Sequence, residues 1–138
     1  MGNVYADIEL INGEDFILAR KSQMDKDEMK SMNVNMMVDS GCCMMAINET
    51  IQEVLQLPCH DTERIQLADG KIVDLNVVGP IEVRFANRRA SCDAYVLPGN
   101  AEPLLGNIPM EQMDVLIHPL RQELIVNPKH PEGAVHRL

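Results

Sequence analysis

The sequence has no tryptophan, only two phenylalanines and two tyrosines, and no uninterrupted apolar run near the roughly 18–20 residues of a membrane span. The first shortage excludes an aromatic core. The second gives no sign of a membrane partner or a membrane-spanning helix. Positive charge is also scarce: 12 Lys and Arg stand against 21 Asp and Glu, a formal net charge of −9. That balance argues against nucleic acid as a partner, because a phosphate backbone needs concentrated positive charge. The N-terminus lacks a basic stretch followed by an apolar one, so no secretory signal is expected, and a reduced, cytoplasmic setting follows. The sequence has no glycine-rich phosphate loop. Its four cysteines, Cys42, Cys43, Cys59 and Cys92, have neither paired C-x-x-C spacing nor the density of a disulfide scaffold.

What remains is 138 residues with 46% apolar content and ten methionines. This is one domain, large enough to bury a core without staples, and that core must be aliphatic with Met filling irregular gaps. No metal and no cofactor is called for.

Most of the chain alternates with period two, the pattern of half-buried strands. Val4, Ala6, Ile8 and Leu10 share one face of a first strand, and Asn12-Gly13 reads as a hairpin turn into a return strand at Phe16-Ile17-Leu18-Ala19. Residues 20–32 read as a charged surface loop. Val34 to Val38 forms a strand ending in Asp39-Ser40-Gly41. Residues 47–57 carry helical spacing behind an Asn48 cap. Residues 64–78 predict a second hairpin with Asp69-Gly70 at its tip. Ile81 to Phe85 and Ala90 to Val96 alternate again around a turn at Asn87-Arg88. Leu104-Leu105-Gly106 is short and apolar. Asn107 could cap a helix over 108–116, with Pro109 in its first turn. A last strand covers Leu124-Ile125-Val126. Residues 1–127 thus form the domain, and residues 128–138 a flexible tail. The expected class is all-β, a sandwich or closed barrel with two short helices.

Asp39-Ser40-Gly41 stands out because an acidic residue closing an apolar strand (Met36-Met37-Val38) is costly unless its surroundings serve it. By itself the triplet could be an Asx-turn. In order along the chain, however, Val38-Asp39-Ser40-Gly41, the 47–57 helix, the hairpin tip Leu67-Ala68-Asp69-Gly70-Lys71 and Leu104-Leu105-Gly106-Asn107-Ile108-Pro109 resemble the retropepsin-like aspartic proteases. The likeness is greatest to the small prokaryotic members of that clan and covers about residues 3–127. It implies the acid-protease fold, with Asp39 as the catalytic aspartate and no metal or cofactor. Ser40 and Gly41 would support the active-site loop, and so would Leu104, Leu105 and Gly106. Leu67, Ala68, Asp69, Gly70, Lys71 and Ile72 would form a flap over a peptide substrate. Ser40 replaces the threonine often found there. Cys42-Cys43-Met44-Met45 stands where small or hydroxyl residues are usual.

Metal-free peptide hydrolysis needs a base for water and an acid for the carbonyl oxygen, and two carboxylates sharing a proton supply both. The sequence holds one Asp-Ser/Thr-Gly triplet, so the pair must come from two chains, Asp39 with the Asp39 of a second copy. The expectation is a homodimeric aspartic endopeptidase. The alternatives are a non-catalytic dimerisation or peptide-binding module of the same fold, and a thiol or metal protein built on Cys42, Cys43, Cys59 and His60.

Overall fold

The computed structural model of the chain describes residues 2–138. Among the described residues it contains nine strands and three helices. Strand β1 (Val4–Asn12) buries alternate residues, as its period-two pattern requires, and pairs antiparallel with β2 (Ser31–Val38) from Val4↔Val38 to Ile11↔Ser31. Strand β3 (Met45–Asn48) leads into α2 (Glu49–Leu55), where the Asn48 side chain accepts from the Ile51 amide at 2.9 Å, as its capping role predicts. The helix ends at Gln56 in the left-handed conformation. Strands β4 (Cys59–Gln66) and β5 (Ile72–Phe85) form the long second hairpin, and β6 (Arg88–Leu97) returns antiparallel along β5.

The order β1-β2-β7-β3-β6-β5-β4 is closed into a ring of strands by a second pairing of β1 with β5, and β4 remains as the outer edge. The two-residue strand β7 (Leu104–Leu105) is threaded between β2, to which it runs parallel, and β3, to which it runs antiparallel. A separate small hairpin joins β8 (Val115–Ile117) to β9 (Leu124–Val126). The architecture is mostly β, as expected. The fully buried side chains include Ile8, Leu10, Met36, Met45, Ile47, Leu55, Ile81, Leu105 and Met113, an aliphatic and methionine core without an aromatic ring. Among the described residues no helix is long and apolar enough to cross a membrane.

Three expectations require correction. Asn12-Gly13 is not a hairpin turn. Asn12 caps a helix α1 (Gly13–Arg20), its side-chain oxygen accepting from the Asp15 amide at 3.1 Å while its side-chain nitrogen donates to the Leu55 carbonyl at 2.9 Å. Phe16 to Ala19 is therefore helical rather than a return strand. Asn serves turns and caps equally, and the acidic Glu14 and Asp15 in the first turn favour the helix by complementing its dipole. Asp15 also pairs with Lys30 at 3.0 Å, which fixes the loop that leads into β2. Gly13 is required because a Cβ there would strike the Pro80 carbonyl.

The last helix, α3 (Asn107–Met113), is shorter than the expected 108–116. It stops at Asp114 in the left-handed conformation, and the β-branched Val115 and Ile117 that follow pair with β9. Asn107 is its first residue and not its cap. The C-terminal residues 128–138 touch the body of the fold at several points. His130 lies 2.7 Å from Asp114, the Val135 amide donates to Asp114, and Asn87 and Arg88 at the β5–β6 turn donate to the Pro131 and His130 carbonyls.

Candidate active site

Asp39 follows the last residue of β2, and its position is fixed by the strand threaded beside it. Its amide donates to the Leu105 carbonyl at 2.9 Å, and its own carbonyl accepts from the Cys42 amide at 3.1 Å. The Gly41 amide donates to the Asp39 carboxylate at 2.9 Å, which fixes the orientation of the side chain. The loop is also tied to α3. The amides of Asn107 and Ile108 donate to the carbonyls of Cys42 and Cys43, both at 2.8 Å, and the Asn107 side chain donates to the Ser40 carbonyl at 2.6 Å. Gly106 lies where no side chain fits, because a Cβ would run into the carbonyl oxygens of Met44 and Cys42. The two distant segments named from the sequence, 39–41 and 104–106, are thus brought together by backbone hydrogen bonds.

Asp39 faces an open cleft of about 440 Å³. Its floor and one side are Gly41, Cys42, Cys43, Met44, Ala46 and Leu104; its other side comes from the second hairpin through Ile65, Gln66, Leu67, Ala68 and Leu75, with Tyr95 and Leu97 of β6 between. The lining is aliphatic, and Asp39 is its sole charged residue. Of the expected flap residues, Leu67 and Ala68 line the cleft, whereas Asp69, Gly70 and Lys71 close the turn. The Lys71 amide donates to the Asp69 carboxylate at 2.9 Å, the Leu67 amide to the Lys71 carbonyl at 2.8 Å, and Gly70 takes the φ of +87° that the turn demands. Ile72 is exposed.

Sequence reading missed Tyr95, Leu97, Leu75, Ala46 and the tie from Asn107. The alternation along β6 puts Tyr95 and Leu97 on one face, but nothing local says that this face meets a cleft. The Tyr95 hydroxyl donates to Glu63 at 3.1 Å across the hairpin; burial raises its pKa, and the Glu63 carboxylate raises it further.

The cysteines are all free. The Cys42 thiol donates to the Met44 carbonyl at 3.3 Å, and its pKa is raised first by burial and then by the neighbouring Asp39 charge. Cys43 is exposed. Burial pushes Cys92 up to about 12, which makes it inert at neutral pH. Cys59 donates to the Asp61 carbonyl, and His60 pairs with Asp93 at 3.2 Å, away from any third ligand type. Among the described residues no three His, Cys, Asp or Glu side chains converge as a metal site.

No protein-family model matches the chain, and no curated protein matches it.

Proposed function

We propose that the chain is one half of a homodimeric aspartic endopeptidase of the retropepsin-like clan. One observation carries the reading: the single Asp-Ser-Gly loop is cross-tied to the Leu104 to Ile108 segment and faces an apolar cleft whose far wall is a hairpin tip. The ring of strands with β7 threaded between β2 and β3 supports an acid-protease fold. Four free cysteines suit a reducing, cytoplasmic setting.

One carboxylate cannot act as both base and acid, so Asp39 works with its counterpart in a second copy. Two facing carboxylates hold one proton between them, because both cannot ionise cheaply side by side. The ionised member takes a proton from water as the water oxygen attacks the peptide carbonyl carbon. The protonated member gives its proton to the carbonyl oxygen. The first carboxyl, now protonated, gives that proton to the amide nitrogen while the second takes one from a diol hydroxyl; the C–N bond breaks, acid and amine are released, and the pair again shares one proton. The Gly41 amide steadies the charged carboxylate, and a substrate strand lies extended beneath the hairpin tips.

The test is cleavage of a mixed peptide library by the purified protein between pH of about 3 and 7, the working range of a shared-proton pair. Specific cleavage is expected, lost at least about a thousandfold in Asp39→Asn. Equal cleavage by that variant overturns the reading. A dimer that cleaves nothing across this range leaves the non-catalytic peptide-binding module, to which the Cys42-Cys43 departure points.

A further inference from the structure

A second feature lies on the outer face of β5, β6 and α1, at the end of β6 opposite the cleft. The chain has few cations, yet three arginines converge on one aromatic ring. The guanidinium carbons of Arg20, Arg84 and Arg89 lie 5.7, 5.2 and 5.5 Å from the centre of the Phe16 ring. One buried carboxylate sits among them. Glu82 accepts a two-pronged pair from Arg89, at 2.7 Å from Nε and 2.6 Å from Nη2, and a single contact from Arg84 Nε at 2.6 Å.

Arg89 and Arg84 both bond Glu82, so one carboxylate stands against three guanidiniums and Arg20 is left without one. Both terminal nitrogens of Arg84 lack a partner among the described residues, and Arg20 makes no hydrogen bond or ion pair there. Glu9 stands opposite Arg84 in the β1–β5 register but forms no ion pair with it. Gathering like charges is unfavourable unless an anion joins them, and the Arg84 and Arg89 side chains remain 38% and 54% exposed to receive one. From Arg89 the surface continues into a shallow, open depression lined by Ser91, Glu111, Gln112 and His136, so the positive charge is confined to the arginine end.

We propose that this arginine-ringed Phe16 surface is a docking site for an acidic peptide segment of a partner or substrate protein. The charge is complementary to carboxylates, the guanidinium forks match them in pairs, and the half-buried ring offers apolar contact between them. All three guanidinium carbons lie within 5.7 Å of the ring centre, and the ring gives the methylenes of a peptide side chain an apolar contact that a compact anion cannot use. Tyr95 and Leu97, which line the cleft, are six and eight residues along β6 from Arg89, so the site is about 20 Å from Asp39's cleft at a strand's rise of roughly 3.3 Å per residue and is independent of the proposed hydrolysis.

Binding of fluorescein-labelled hexaglutamate and hexalysine is measured by anisotropy on the Asp39→Asn protein, so that cleavage does not intervene. Hexaglutamate binding is expected despite the net charge of −9, weakening about five- to tenfold in Arg20→Gln and again in Arg84→Gln, and fading as salt is raised. Arg20 has no hydrogen bond or ion pair to lose and only a cation–π contact with Phe16, so its variant is expected to melt close to the parent and isolates the docking role. Hexalysine binding is expected to ignore both substitutions. The proposal is overturned if hexaglutamate does not bind or binds all variants alike. It is equally overturned if inorganic phosphate displaces the peptide at the peptide's own affinity, which marks a small-anion site.

Discussion

The two walls of the cleft are built on opposite principles. The Asp39 wall is over-determined: within a few residues its backbone bonds to Leu105, Asn107 and Ile108, and Gly106 presses against two carbonyls. The hairpin wall is self-supporting. Residues 59–64 of β4 are exposed, the strand forms the outer edge of the sheet, and its tip is held by turn bonds within residues 66–71. Segments held by many long-range buried contacts open at the free energy of the whole fold, whereas segments held by local, solvated bonds open at far less. The Asp39 wall is thus the fixed one, and the hairpin wall the one that opens more readily. That is the division of labour the proposed hydrolysis requires.

The sharpest way to break the contrast is to put a side chain into the fixed wall. Gly106→Ala is expected to cost at least about 3 kcal/mol, enough to prevent folding in a marginal domain, because the clashing atoms are backbone carbonyls that cannot step aside. Urea unfolding monitored by circular dichroism reads this, and a loss under about 1 kcal/mol would mean the loop is looser than described. Leu105→Ala comes next. The side chain is fully buried in the core, and its truncation is expected to cost about 2–5 kcal/mol by the same measurement. On the other wall, Gly70→Ala makes only an ordinary contact with the Gln66 side chain and suffers its positive φ, about 1 kcal/mol. Its effect is expected in peptide KM more than in unfolding, and hydrogen exchange at residues 67–71 should rise while exchange at 39–42 stays unchanged. A Gly70→Ala protein with faster exchange in both walls would erase the distinction.

The smallest effect concerns the far end of α3. Bonds from the Asn127 side chain, the Val135 amide and His130 lower the Asp114 pKa from 3.8 to about 2. A carboxylate with a depressed folded-state pKa stabilises above its unfolded value, and that contribution fades as pH falls from 3.8 toward about 2. The tail contact therefore persists through most of the acid range in which a shared-proton pair works. Asp114→Asn is expected to melt below the parent at pH 7, where the contribution is fully present, and the gap is expected to close as pH falls from 3.8 toward about 2. An unchanged acid slope would remove Asp114 from the account.

Much of this was legible in local pattern. Period-two alternation located β1, β5 and β6, Asp69-Gly70 located the hairpin tip, and Asn48 located α2. Elsewhere local chemistry was degenerate. Asn12-Gly13 suits a turn and a helix cap alike, and the choice depended on Leu55, 43 residues away, accepting from Asn12. Asn107 suits a cap, but its side chain reaches Ser40 because β7 carries it there. Val115 and Leu116 read as the end of a helix until pairing with Val126 and Ile125 gave them a sheet.

By itself, then, the sequence determined the mostly β class, the aliphatic core and the one acidic triplet at a strand end, because each depends on composition or on spacing within a few residues. Only the tertiary structure decided that Leu105 lies beside Asp39, that Tyr95 and Leu97 complete the cleft, and that three arginines scattered from position 20 to 89 encircle one ring. Those are pairings between residues far apart in the chain. They are chosen by which buried faces and backbone groups satisfy one another once the ring closes, and no local window contains that information.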